Sequence, residues 1–244
     1  MKQSFSAYIK KHQYEDRNPL SVVINDKICV KDYVDDRLGI PISNELFAHR
    51  LYAGYNVGEC LSAIEKPCVV RLNNGWHIMK ILLGCNDIIT RRELVEWQNM
   101  PRKSGEWAPR QIKPGFTVER ILPLKHNLLK FFVFHGRVEY VWNQLYDVSS
   151  GKPGRLLAAT MYNRNWSFQN VRWNKNNILN FPRPARLDEM IDIAEKLFSL
   201  DYKFMRIDLY YNDNRIRLSE IMNLHAGGTN GFSGDFDYVL GALL

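Results

Sequence analysis

The sequence predicts an α+β protein built on antiparallel sheets, and three observations carry that expectation. Residues Phe204 to Ile221 alternate polar and apolar side chains about the turn formers Asn212, Asp213 and Asn214, the pattern of a β-hairpin. Strand-turn-strand patterns recur at Cys68 to Gly84, about Asn73-Asn74-Gly75, and at Leu128 to Trp142, about His135-Gly136. A helical stripe of Leu187, Met190, Ile191, Ala194, Leu197 and Phe198 runs directly before the first hairpin. Sheets flanked by a few helices argue against a parallel doubly wound fold.

The elements follow in order. Residues 1 to about 22 are polar and Lys-rich, close near Pro19, and predict a short helix or ordered arm. Asn25 or Asp26 then caps a helix in which Val30, Tyr33, Val34, Arg37 and Leu38 share a face, and Gly39 ends it. Ile40 to Gly58 carries Leu46, Phe47, Leu51 and Tyr52 at helical spacing. Thr90-Arg91-Arg92-Glu93 has the spacing of a capping box and opens a helix through Trp97, before a basic loop from Pro101 to Pro114. Phe116 to Leu122, Leu128 to Phe134 and Arg137 to Trp142 predict strands of an antiparallel meander. SSGKPG at Ser149 to Gly154 is the clearest local break. The division expected from this is a helical segment over 1–60 packing on two lobes, a small lobe over 61–115 and a large lobe over 116–244.

The 244 residues, 45% hydrophobic and 12% aromatic, are enough to bury a sizeable core. No apolar run approaches the roughly 18 residues a membrane-spanning helix needs. The first residues lack the apolar stretch of a secretion leader, so a cytoplasmic protein is expected. Cys29, Cys60, Cys68 and Cys85 form no CxxC, which argues against a zinc site or a disulfide framework. The absence of GxSxG, HExxH and a full Walker loop removes three common enzyme classes. A net charge of +7, spread along the chain, favours an anionic partner: nucleotide, acidic glycan, nucleic acid or membrane surface. His225 reads as a loop residue, and Trp166 and Trp173 as packing or sugar-stacking side chains.

The chemistry centres on two carboxylates. Arg206, Asp208 and Tyr210 share one face of their strand, and an odd-length loop places Glu220 on the same face. Neighbouring carboxylates repel and raise each other's pKa, so a cation belongs between them. A divalent ion with oxygen ligands suits the position, with Mg²⁺ shared with phosphates as the common form. Equally compatible is an exposed hairpin edge whose acids pair with Arg206 or Arg217.

The segments DKICVKDYVDDRLG, VVRLNNGW, LKFFVFHGRVEYV, MYNRNWSF, LDEMIDIAEKLF, FMRIDLY and SEIMNLHAGG, in this order, resemble the TupA-like branch of the ATP-grasp superfamily. The resemblance implies two α+β lobes gripping ATP between antiparallel sheets, with ATP and Mg²⁺ as cofactors. It also implies ligase chemistry, in which a carboxylate is activated as an acyl phosphate and an amine displaces the phosphate to form an amide. It points to an acidic saccharide, such as a uronic acid of a capsular or cell-surface polysaccharide, and an amino acid or amine as substrates. Peripheral association with polysaccharide assembly machinery fits that setting; no nucleic-acid partner is expected.

Residue by residue, the resemblance makes Asp208, Glu220 and Asn223 the metal ligands and Arg206 the catalytic arginine that steadies the substrate carboxylate. It gives Arg71 the ATP phosphates, where the family usually has lysine. Glu119 falls near the adenine and Lys130 on the nucleotide side of the sheet. The chain departs from the pattern at three places: NNGWH keeps only Gly75 of a fuller glycine loop, Met222 stands where Asn or Thr is usual, and Leu128 replaces an acid. A glycan kinase on the same fold, and a non-catalytic acidic-polymer-binding relative, are the competing expectations.

Overall fold

A computed structural model describes residues 4–74, 78–100, 106–123, 125–147, 155–173, 177–226 and 232–244. Gly75 and its loop, the SSGKPG break, Gly227-Gly228 and the start of the basic loop lie outside the described residues. The elements are α1 (Phe5–Glu15), α2 (Pro19–Asn25), α3 (Val30–Leu38), α4 (Ile40–Leu46), β1 (Arg50–Gly54), α5 (Val57–Ser62), β2 (Cys68–Leu72), β3 (Met79–Leu82), α6 (Arg91–Gln98) and α7 (Ala108–Gln111). They continue with β4 (Phe116–Arg120), β5 (Lys125–Phe134), β6 (Arg137–Asp147), β7 (Arg155–Asn163), β8 (Phe168–Gln169), α8 (Leu187–Lys196), β9 (Phe204–Asn212), β10 (Arg215–Met222) and α9 (Phe236–Gly241).

These elements form two compact units. Unit 1 comprises Met1–Arg17, His126–Tyr146 and Leu156–Leu244; unit 2 comprises Asn18–Lys125 and Asp147–Arg155.

Unit 2 holds an antiparallel sheet in the order β1-β4-β2-β3. Val70, Leu72, Leu82, Phe116 and Val118 from its strands meet Cys60 of α5 and Leu94 of α6 in one apolar cluster. The capping box forms as expected: the Glu93 N–H donates to the Thr90 hydroxyl and the Thr90 N–H to the Glu93 carboxylate. α3 spans the expected stripe, but Asn25 still belongs to α2. Asp26 accepts from the Ile28 N–H at 2.8 Å, one turn before the helix begins. Residues 50–54 form strand β1, although their apolar spacing suits a helix, because pairing with β4 overrides so short a periodicity. Asn73 and Asn74 are buried rather than at a solvated turn tip. Their side-chain amides donate to Asp26 and to the carbonyls of Lys113, Pro109 and Ile112, satisfying loop groups that water does not reach.

Unit 1 holds a sheet in the order β10-β9-β5-β6-β7-β8. β4 stays in the other sheet, so the meander begins at β5; Pro123, which has no N–H to give a ladder, separates the two strands. On one face α1 and α9 cover an aromatic core. Phe5 of α1 packs against Phe132, Phe134 and Phe204, with centroids 6.5, 5.9 and 4.8 Å away. The hydroxyls of Ser4 and Ser6 both donate to Asp237 of α9. On the other face the stripe of α8 is buried throughout, and the Ser199 N–H just beyond it meets the sulfur of Met205. All four cysteines are free thiols, with Cys60 pushed up to about 12 by burial. No helix of the described residues is long and apolar enough to cross a membrane.

Candidate functional site: a carboxylate pair on one sheet face

The hairpin β9–β10 closes with two residues, Asp213 and Asn214, both at positive φ (49° and 57°), which these side chains tolerate. An even loop alone would turn Glu220 away from Asp208. A register shift between Leu218 and Glu220 corrects this: Leu218 pairs with Leu209 and Glu220 with Asp208, leaving Ser219 as the extra residue of a β-bulge. Ile216 and Leu218 before the bulge and Ile221 after it all turn to the buried α8 face.

Two rows of side chains result, each crossing three strands. Lys130, Asp208 and Glu220 form one; Phe132, Arg206 and Met222 form the next. The guanidinium of Arg206 reaches back along its own strand, donating from Nε to Asp208 Oδ1 at 2.7 Å and from Nη2 to Oδ2 at 2.8 Å. Nη2 also lies 3.7 Å from Glu220 Oε2 and 2.9 Å from the Met222 sulfur. Nη1 lies 3.1 Å from Nδ1 of His225. Lys130 Nζ stands 3.6 Å from Asp208 Oδ2, with its charge over the Trp142 ring. Asp208 is 1% exposed, whereas the Glu220 side chain is 38% exposed.

Electrostatics follow from this crowding. Burial lowers the pKa of Lys130, and repulsion from Arg206 adds to it, against the pull of Asp208 and Glu220. Burial works against the charge of Arg206 too, but Asp208, by attraction and direct bonding, raises it overall. His225 is held well below the usual histidine range by burial, then by Arg206 and Lys130, and is neutral at physiological pH.

The two acids are thus neighbours on one face, with Arg206 as the cation between them. Oxygen donors of this kind fit a hard divalent ion that keeps part of its shell for water or phosphate. Among the described residues no three His, Cys, Asp or Glu gather as a self-sufficient metal site, so an amide or ligand oxygen would complete the shell. Asn223 stands one residue past β10, where its amide nitrogen donates to Asp16 of the α1 C-cap at 2.7 Å. Met222, a poor donor to a hard ion, packs its sulfur on Arg206 instead.

Arg71 and Glu119 lie in unit 2, together on one face of its sheet. The Glu119 carboxylate is buried, 3.7 Å from Arg71, 3.8 Å from Arg50 and 3.7 Å from His49. Burial alone would raise its pKa; Arg71, His49, Arg50 and Lys27 outweigh that and hold it at about 2.

Sequence reading passed over Arg50 and His49, and it took His225 for a loop residue, which it is, without its contact to Arg206. The two from unit 2 sit at a strand disguised by helical spacing. His225 follows the hairpin in a stretch with no periodicity, and nothing local in the sequence points to Arg206 as its partner. Trp166 stacks on Tyr162 with centroids 4.1 Å apart, and Trp173 packs on Trp142 and Phe232, so both are packing residues.

The sequence profile of the family described as TupA-like ATPgrasp matches residues 85–244, more than half of the chain. No curated protein matches. Among solved structures, the chain is similar to the L-amino acid ligase from Bacillus licheniformis. The identity there is 12%, with 87% of this chain and 46% of that one covered and a TM-score of 0.53. The D-alanine–D-alanine ligases from Helicobacter pylori (16% identity, 91% of this chain and 59% of that, TM-score 0.47) and Bacillus anthracis (15%, 85% and 59%, 0.46) also match. The chain spans 46% to 59% of the length of these three ligases. The likeness to the L-amino acid ligase, at 12% identity, speaks for the fold and not for the chemistry.

Proposed function

We propose, from the premise that the chain belongs to the TupA-like ATP-grasp family, that it is an ATP-dependent carboxylate–amine ligase. The observation that carries the reading is the pairing of Asp208 with Glu220 on one face, with Lys130 and Arg206 beside them.

In the reaction a carboxylate oxygen attacks the γ-phosphorus of ATP, ADP leaves, and an amine nitrogen then attacks the acyl carbon and expels phosphate. Asp208, Glu220 and the carbonyl oxygen of Asn223 would hold Mg²⁺, which when bound neutralises phosphate charge. With its fork engaged by Asp208, Arg206 would meet a substrate carboxylate, and the charge that develops on it, through the N–H of Nη1 that His225 does not take. Lys130, in an ion pair with Asp208 at 3.6 Å, would turn to a phosphate oxygen when nucleotide is bound. In unit 2, Arg71 is assigned to the ATP phosphates and Glu119 to the neighbourhood of the adenine, keeping the roles the resemblance implies.

The substrate pair we favour is a uronic acid of a surface polysaccharide, or its precursor, and an amino acid or other amine. A net charge of +7 supports an acidic partner, and a cytoplasmic setting supplies the ATP. The test is ADP release from Mg-ATP across a panel of sugar acids and amines. Release that needs both, and is abolished in Asp208→Asn, supports the ligase. Release with saccharide alone, with a product heavier by one phosphoryl group, makes it a kinase. No release, together with no thermal shift on adding Mg-ATP, leaves a polymer-binding protein.

A further inference from the structure

We propose that His225 is the positioning residue of this site, fixing the guanidinium of Arg206 by accepting a hydrogen bond from Nη1 at its Nδ1. The inference rests on the reading above for what Arg206 does, and on geometry alone for how it is held.

Arginine can only donate, so the 3.1 Å contact between Arg206 Nη1 and His225 Nδ1 requires Nδ1 to be the acceptor. The proton of the neutral ring then sits on Nε2, a buried atom with no hydrogen-bond partner among the described residues. The bond to Arg206 is therefore the polar engagement that sets which way this ring faces.

The rest of its surroundings is aromatic. Phe132, Trp173, Phe232, Trp142 and Phe5 enclose the imidazole at centroid distances of 5.0, 5.2, 5.6, 5.9 and 6.1 Å, with Phe232 nearly parallel at 11° and Trp173 perpendicular at 89°. A ring so enclosed does not follow the arginine; the arginine follows the ring. Ala226, the next residue, adopts a left-handed backbone at φ 47°, which an alanine holds only where surrounding structure enforces it. The chain is bent at some cost just where it delivers His225 to the guanidinium.

With Asp208 on Nε and Nη2, Met222 sulfur on Nη2 and His225 on Nη1, the fork is held on both sides. A guanidinium held this way presents its one remaining N–H, on Nη1, in a fixed orientation before substrate arrives, which is how a positioned group lowers a barrier.

Nitrogen-detected NMR of the wild-type chain reads the claim without any variant: Nδ1 of His225 is expected unprotonated and Nε2 protonated. A proton on Nδ1 overturns the proposal. His225→Asn keeps an acceptor near the Nδ1 position, and His225→Phe keeps the ring and loses the acceptor. Separate signals for the two Arg206 Nη groups are expected in wild type and His225→Asn, and one averaged signal in His225→Phe. Averaging already in wild type, or in both variants alike, overturns it. If the ligase reading holds, His225→Phe also lowers kcat by about 10- to 100-fold with the KM for ATP unchanged, and His225→Asn recovers most of the loss. A chain with no ligase turnover but with the expected tautomer and signal pattern sinks the function and spares the positioning role.

Discussion

Both oxygens of the Asp208 carboxylate are bonded to the guanidinium of Arg206, at 2.7 and 2.8 Å, in a setting where neither side chain is more than 6% exposed. On the proposed reading, a divalent cation held by Asp208 and Glu220 would compete with this ion pair for one carboxylate.

Replacing Arg206 by leucine should cost about 3 kcal/mol of stability, because a buried carboxylate loses both of its guanidinium hydrogen bonds and keeps only the looser pair with Lys130. Millimolar Mg²⁺ should return part of that loss, and should stabilise the variant more than wild type. Urea titrations with and without the metal check this, and an equal metal effect in both proteins would count against a shared carboxylate.

Asp208→Asn and Glu220→Gln should both lose the rise in Tm that Mg-ADP gives the wild type, since a ligand that binds only the folded state must stabilise it. They should differ without ligand. Asn at 208 strands the Arg206 charge and costs about 3 kcal/mol. Gln at the part-exposed position 220 changes stability by about 0.5 kcal/mol or less. Thermal melts of the two variants, ligand-free and with Mg-ADP, decide the matter.

Glu119 sets an acid limit on unit 2. Its folded pKa of about 2 lies below the ordinary 4.5, so the stabilisation is complete above pH 4.5 and disappears as pH falls from there through 2. The amount at stake is about 3 kcal/mol. Glu119→Gln should flatten the loss of stability between pH 4.5 and 2.5, followed by circular dichroism; an unchanged acid slope would mean the surrounding cations are not what holds the carboxylate charged.

Phe5→Ala should destabilise unit 1 by about 3 to 5 kcal/mol, the usual cost of emptying a fully buried aromatic site. A loss below about 1 kcal/mol by chemical denaturation would show that α1 is not part of the core.

Much of the sheet was legible because polar and apolar side chains alternate along its strands, as in β9 from Met205 to Leu209, even though both faces of that strand are buried. The carboxylate pair was legible too, though by the wrong loop: an odd-length turn was expected, and a two-residue turn with a bulge at Ser219 achieves the same facing. The signal was in the sequence, since Ile216 and Leu218 keep the alternation and Ile221 breaks it by one residue. What escaped depends on contacts distant in sequence. Arg50 joins Glu119 only through the pairing of β1 with β4, and His225 meets Arg206 only where the chain turns back after β10. The role of α1 was hidden likewise, because the rings that Phe5 touches lie more than a hundred residues downstream.

That last separation bears on how the chain is made. Unit 1 joins Met1–Arg17 to strands that come after His126, so the whole of Asn18–Lys125 leaves the ribosome while α1 still waits for its partners. At roughly 5 to 20 residues per second, Phe204 follows Phe5 by about ten seconds or more. Throughout that interval Phe5 and Ile9 face water or a chaperone, and newly made chains held at that stage should be its best clients.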